Sequence, residues 1–189
     1  MWMLVLGLLL FFLPHSIGIV ASKWRERVLL HWGPGLWKGL YSLFSAGGFA
    51  LIVIGFAQAR RTPIWLYVPP YWLHYVTFLL MLPVFPLLLA TYLPGRIQHA
   101  AKHPMLAAVK IWATAHLLVN GTLSDVLLFG SFLLWAVFDR ISLKYRVVAA
   151  VPAAPLSPYN DILVVVLGLA LYVLTLWRLH AWLIGVALL

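Results

Sequence analysis

The sequence predicts an all-α fold, a polytopic membrane helical bundle with about six transmembrane helices. Three observations carry that expectation. Of the 189 residues, 65% are hydrophobic and 9% are charged, where a soluble domain carries roughly 25% charged residues. The mean hydropathy is +1.02, so the chain lacks the polar material to cover its own surface in water. The apolar residues also fall into runs of spanning length, separated by proline, glycine and basic residues. The lipid bilayer is therefore the expected partner. The absence of cysteine excludes disulfides, thiolate metal ligands and cysteine nucleophiles. A formal charge of +9 could suggest nucleic acid in a soluble protein. Here it fits the enrichment of Lys and Arg in cytoplasmic loops, and no nucleic-acid partner is expected.

Met1 to Ala21 is apolar except for His15 and Ser16. Its basic cluster (Lys23, Arg25, Arg27) follows the apolar run, so this reads as a retained first helix, bent or ended near Pro14. Residues 22–38 read as a polar connection with a turn at Trp32–Gly35. The second helix covers 40–59. Its small residues Ser45, Ala46, Gly47 and Gly48 are expected to face a neighbouring helix. Residues 64–71, aromatic and proline-rich, suit the membrane interface.

The third helix covers 72–92, where Pro83 and Pro86 should kink it and free backbone carbonyls that neighbours must satisfy. Pro94-Gly95-Arg96 opens a connection that ends near His103-Pro104. The fourth helix covers 104–119, with Pro104 in its first turn and Asn120-Gly121 as its stop. Thr122 or Ser124 can cap the fifth helix, 123–139. Residues 140–158 form a polar, then proline-rich connection. Asp161 opens a sixth helix to about Ala187, where an acid favours the N-terminal dipole. No internal repeat is present.

Basic residues concentrate in the first, third and fifth connections: Lys23, Arg25, Arg27 and Lys38, then Arg96 and Lys102, then Arg140, Lys144 and Arg146. The second holds Arg60 and Arg61 and the fourth none. The positive-inside rule places the odd connections in the cytoplasm and the N-terminus outside.

Ionisable groups within a bilayer are costly and point to function. His116 is the foremost. It lies roughly 20 Å beyond His103 along a helix and shares a stripe with Trp112 and Asn120. Lipid does not tolerate an imidazole, so that stripe should face other helices. It reads either as a buried hydrogen-bonding histidine or as a metal or haem ligand. His103 and His116 stand about 140° apart around a straight helix and cannot share one ion. The partner of His116 is left open between His15 and His74, each offset in depth by around 9 Å. The interfacial alternative for both is a ring with its polar tip in water.

His99 and His103 have the spacing of a helical zinc pair, but no third ligand lies nearby. Lys110 can snorkel to the surface or pair with Asp139. Together with Arg96 and Arg140 it could instead grip a haem propionate or a lipid phosphate. No nucleophile–base signature, phosphate-binding glycine loop or carboxylate pair is present. Asn120-Gly121-Thr122 matches a glycosylation sequon but reads as a helix stop and cap.

The run PGRI…KHPML…K.WA.AHLL.NG from Pro94 to Gly121, followed by LLFGSF..WAV.DRISLK from Leu127 to Lys144, resembles the NnrU family of bacterial membrane proteins. The resemblance covers roughly residues 1–146 as one membrane domain, with 147–189 as a C-terminal loop and helix. It implies an inner-membrane protein linked with denitrification, in the expression or maturation of nitrogen-oxide reductases. The family's relative, the 15-cis-zeta-carotene isomerase of plants and cyanobacteria, binds haem b through histidines. That likeness implies His116 and His15 as axial-ligand candidates and a hydrophobic isoprenoid or carotenoid substrate. The isomerase's nearby cysteine is absent, and Ala113 stands in that neighbourhood.

Two other classes remain. His103-Pro104 at a helix start resembles an element of membrane methyltransferases that use S-adenosylmethionine, whose further glycine pattern and C-terminal acid are missing. A non-enzymatic assembly or transport factor for denitrification enzymes would need only the helical bundle.

Overall fold

The computed structural model describes residues 1–146 and 151–189. Residues 147–150, within the expected connection 140–158 and at the start of the expected C-terminal segment, lie outside the described residues. The helices are α1 (Trp2–Val20), α2 (Ser22–Ala59), α3 (Leu73–Met81), α4 (Val84–Ala90), α5 (Arg96–Ala101), α6 (Pro104–Val119), α7 (Leu123–Ser142), α8 (Asn160–Leu174) and α9 (His180–Ile184). A π-helical stretch, Thr175–Leu179, joins α8 to α9. Among the described residues, four stretches are long and apolar enough to cross a membrane: α1, α2, Leu73–Ala90 and Asn160–Ile184. Helix α6 is apolar but has 16 residues. Helix α7 has 20 and carries Asp125, Asp139 and Arg140. The all-α membrane bundle is thus the fold of the described chain.

Contacts divide the chain into two compact units, one of residues 1–68 and 120–145, the other of 69–119 and 146–189. In the first, α1 and α2 cross at contact distance between backbones. A Cβ on Gly7 would stand 2.6 Å from the Ile52 nitrogen, and one on Gly48 2.5 Å from the Phe11 nitrogen. Gly55 meets the Leu4 backbone in the same way. Of the small residues expected to face a neighbour, Gly48 is buried in this crossing, whereas Ala46 and Gly47 are exposed.

One boundary differs from expectation. Residues 22–38 are helical rather than a loose connection. The turn is concentrated at Gly33, whose φ of 78° is a conformation glycine adopts without steric cost. Pro34 then starts the next helical stretch, where a proline loses nothing by lacking an N–H. Helix α1 runs through Pro14. The third expected helix is split at Leu82-Pro83 into α3 and α4.

That split belongs to the second unit and shows how a kink is satisfied in an apolar surrounding. The Leu82 N–H bonds back to Leu79 O at 3.3 Å, so the Phe78 carbonyl loses its usual partner four residues on. The Tyr172 hydroxyl of α8 donates to it at 2.8 Å. The Phe78 carbonyl, left over at this proline break, therefore does find a neighbour. Helix α6 runs back along α3 and α4, and Thr77 Oγ1 donates to Ala115 O at 3.0 Å.

Candidate functional site

His15 sits half-buried in the first unit, in the turn after Pro14. A carbonyl can only accept, so the His15 Nδ1–H donates to Phe11 O, at 2.6 Å. The neutral ring then carries its lone pair on Nε2. The imidazole stacks on Phe11 (centroids 4.3 Å apart), with Tyr41 at 5.0 Å and Trp135 edge-on at 5.9 Å. Asp139, one turn beyond Trp135 on α7, is buried and within electrostatic reach of both His15 and Tyr41. Two polar atoms of this unit, Trp135 Nε1 and Ser45 Oγ, are buried with no hydrogen-bond partner among the described residues. Nothing in the spacing points to Tyr41 or Trp135, because an aromatic inside an apolar run looks like core, and Ser45 reads only as a small residue at a helix contact.

The second unit holds His74, His99, His103 and His116, with Lys110 and Arg96. His116 lies in the last turn of α6, half-buried. Its Nδ1–H donates to Trp112 O at 2.9 Å, and the two rings are 5.3 Å apart, as the shared stripe requires. His74 opens α3, with its Nδ1–H donating to Tyr71 O at 2.8 Å. The Thr77–Ala115 bond sets the register of α3 on α6. His74 precedes Thr77 by three residues and His116 follows Ala115 by one, both toward the same end of the antiparallel pair. At 1.5 Å per residue their depths differ by about 3 Å, less than the sequence suggested. His103 sits between α5 and α6 beside Lys102, whose φ is 59°. His99 and Arg96 are exposed on α5, and Lys110 is half-buried on α6. His15 and Asp139 belong to the first unit, His116 and Lys110 to the second.

The helix stop and cap read at Asn120-Gly121-Thr122 are both built into the first unit. Gly121 O accepts from the Leu66 and Tyr67 N–H groups at 2.9 and 3.2 Å, and the Leu123 N–H reaches Ile64 O at 2.8 Å. The Tyr67 hydroxyl donates to Asn120 O at 2.8 Å, and a side chain at Gly121 would collide with the Tyr67 carbonyl. Burial, and then the charge of Asp125, push the Tyr67 hydroxyl above the ordinary tyrosine range. Thr122 and Asp125 form a reciprocal capping box at the start of α7, with Thr122 N–H to Asp125 Oδ2 at 3.0 Å. Of the two caps considered, Thr122 fills the position.

The Pro94-Gly95-Arg96 turn is held by α8. The backbone N–H groups of Arg96 and Ile97 donate to the Asp161 carboxylate at 2.9 and 3.1 Å. The buried Asn160 amide donates to Pro94 O at 2.8 Å and to Pro155 O at 3.1 Å. Asp161 therefore opens its own helix, as expected, and also caps α5 across the fold. A cleft of about 940 Å³ runs beside it, lined by Arg96, His99, Asp161, Leu156 and Ile162 among others.

These donors bear on the haem expectation. Neutral imidazoles with Nδ1–H fixed on a backbone carbonyl are suited to ligation through Nε2. A haem asks little more of the protein, since the porphyrin supplies the in-plane nitrogens. No three His, Cys, Asp or Glu side chains come together among the described residues, as a bare zinc ion would need. The donor set fits haem better than zinc. The exposed His31 makes the same bond to Arg27 O, so it is the placement of His15 and His116 inside apolar helices that distinguishes them.

Apolar spanning helices, tight glycine crossings and engaged polar caps define a multi-pass, all-α membrane protein. The chain belongs to the NnrU family, described as "NnrU protein", whose sequence pattern it matches over residues 3–188. The match runs through the C-terminal segment, beyond residue 146, in keeping with the engagement of Asn160 and Asp161. No curated protein and no solved structure matches the chain.

Proposed function

We propose that this NnrU protein holds haem b within the bacterial inner membrane. His116 would hold it together with His74, which belongs to the same compact unit. The protein serves a redox or isomerase-like role on a hydrophobic isoprenoid-type substrate, or a role in nitrogen-oxide respiration. The observation that carries the reading is the state of His116. It is an intramembrane imidazole held as its Nδ1–H tautomer by Trp112 O, the arrangement that favours iron binding at Nε2. The near-equal depth of His74, set by the Thr77–Ala115 bond, supports it as partner. Lys110 and Arg96 are the cations suited to the propionates. When bound, haem would supply one-electron chemistry or a Lewis-acidic iron. The protein's own groups orient the imidazoles, exclude water and admit an apolar substrate from the lipid. The N-terminus faces the periplasm in this reading, supported by the cations of the odd connections.

The test is an absorption spectrum of the detergent-purified protein, oxidised and then dithionite-reduced, after expression with added haem precursor. A Soret band that shifts on reduction and is lost in His116→Ala supports the reading. His74→Ala should then turn the spectrum high-spin, whereas His15→Ala should leave it unchanged. Colourless protein after haem supplementation overturns it.

A further inference from the structure

The stretch between the first two spans is a separate helix bracketed by two breaks. Ala21 has φ −140° and ψ 43°, and Gly33 has φ 78° and ψ 163°. Along a straight helix, Trp24 and Trp37 would be about 20 Å apart, but their rings lie 6.2 Å apart. The chain therefore folds back at Gly33. Helix 22–32 is tethered at one end to α1 and at the other to the spanning part of α2. It is too short and too charged to cross the bilayer.

Its sequence has two stripes of spacing four. Lys23, Arg27 and His31 form one, all exposed; Trp24, Val28 and Trp32 form the other. The remaining cation, Arg25, is held over the Trp37 ring at 5.7 Å. Glu26 is the one carboxylate in the segment. A short helix with indoles on one stripe and cations on the next, fixed at the membrane boundary, matches a surface with an apolar interior and anionic headgroups.

We propose that helix 22–32 lies in the membrane plane and binds anionic phospholipid headgroups. Lys23, Arg27 and His31 contact the phosphates, while Trp24, Val28 and Trp32 sit in the interface. Arg25 staples the helix to Trp37 and contributes to position rather than to lipid choice. The proposal is independent of haem binding.

Native mass spectrometry of the full chain, released from mixed micelles of phosphatidylglycerol and phosphatidylcholine, tests it. The wild type is expected to retain phosphatidylglycerol preferentially. Lys23→Gln with Arg27→Gln should reduce the preference by roughly fivefold per cation removed. Arg25→Gln, and Arg60→Gln with Arg61→Gln at the far end of α2, should retain most of it. Circular dichroism and melting in detergent establish that each variant folds. If it does not, Lys23→Gln alone, a milder surface change, should still lower the preference roughly fivefold. An unchanged preference in the folded Lys23/Arg27 variant overturns the proposal, as does an equal loss in the Arg60/Arg61 variant.

Discussion

At the scale of single residues, the polar side chains that look most functional spend much of their capacity on backbone. Thr122 and Asp125 satisfy each other's N–H groups in a buried setting. Thr122→Ala should destabilise the protein by about 2 kcal/mol, since it removes a cap and strands a buried carboxylate. Thr122→Ser should stay near wild type. Thermal melting in detergent with a circular-dichroism readout checks both. Tyr67 gives a pH signature. Its hydroxyl titrates above the usual tyrosine value because of burial and of Asp125. The folded state thus holds the proton more tightly than the unfolded chain. That contribution is complete below the ordinary tyrosine value and lost as pH rises through the raised one. Tyr67→Phe should flatten the stability profile in that alkaline window, as followed by melting between pH 9 and 11 (range set by the tyrosine reference, about 10).

At the scale of elements, close helix crossings are the structure's most sequence-sensitive feature. Gly48→Ala puts a Cβ 2.5 Å from the Phe11 nitrogen and should cost about 1–3 kcal/mol through overpacking. Gly47→Ala meets no atom within 4 Å and should be neutral or slightly stabilising. The pair, compared by melting, separates packing from helix propensity. In the other unit, Tyr172→Phe leaves the Phe78 carbonyl of the α3–α4 break without its donor. A loss of about 1–2 kcal/mol is expected, whereas a variant as stable as wild type would show that the carbonyl is served another way. The sequence made several elements legible. The fourth helix, read as 104–119, coincides with α6, because Pro104 and Asn120-Gly121 mark its ends. The break of the third helix followed from Pro83, since a missing N–H is visible in one letter. The helicity of 22–38 was hidden, because Gly33-Pro34 signals a turn whether or not helix continues on both sides. The roles of Asn160 and Asp161 were hidden for another reason: their partners lie some sixty residues away, and local rules reach only the helix they begin.

At the scale of the whole molecule, helix directions within each unit are informative. Contacts of α1 with α7 climb together, Phe11 with Phe132 and His15 with Trp135, so these two helices are parallel. Gly55 against Leu4 and Gly48 against Phe11 make α2 antiparallel to α1. In the second unit, Asn160 with Pro94 and Tyr172 with Phe78 make α8 antiparallel to the α3–α4 pair. This is the alternation expected of about six crossings. In the proposed orientation, with the basic connections inside, an alkaline-phosphatase reporter fused after Arg61 should be active in the periplasm. A fluorescent-protein fusion after Lys144 should mature in the cytoplasm. The reverse pattern would invert the whole bundle.

The cap on α5 has a consequence for the order in which the chain is made. A helix of six residues cannot hold itself together, because nucleation outweighs so few bonds. Its first N–H groups are served by Asp161, a residue synthesised long after them. Until α8 emerges from the ribosome and inserts, the Pro94-Gly95-Arg96 turn lacks the carboxylate and amide that close it. The second unit is therefore finished late, its middle waiting on its end. A ribosome stalled before residue 160 should leave the α5 segment open to protease, and one stalled well beyond it should not.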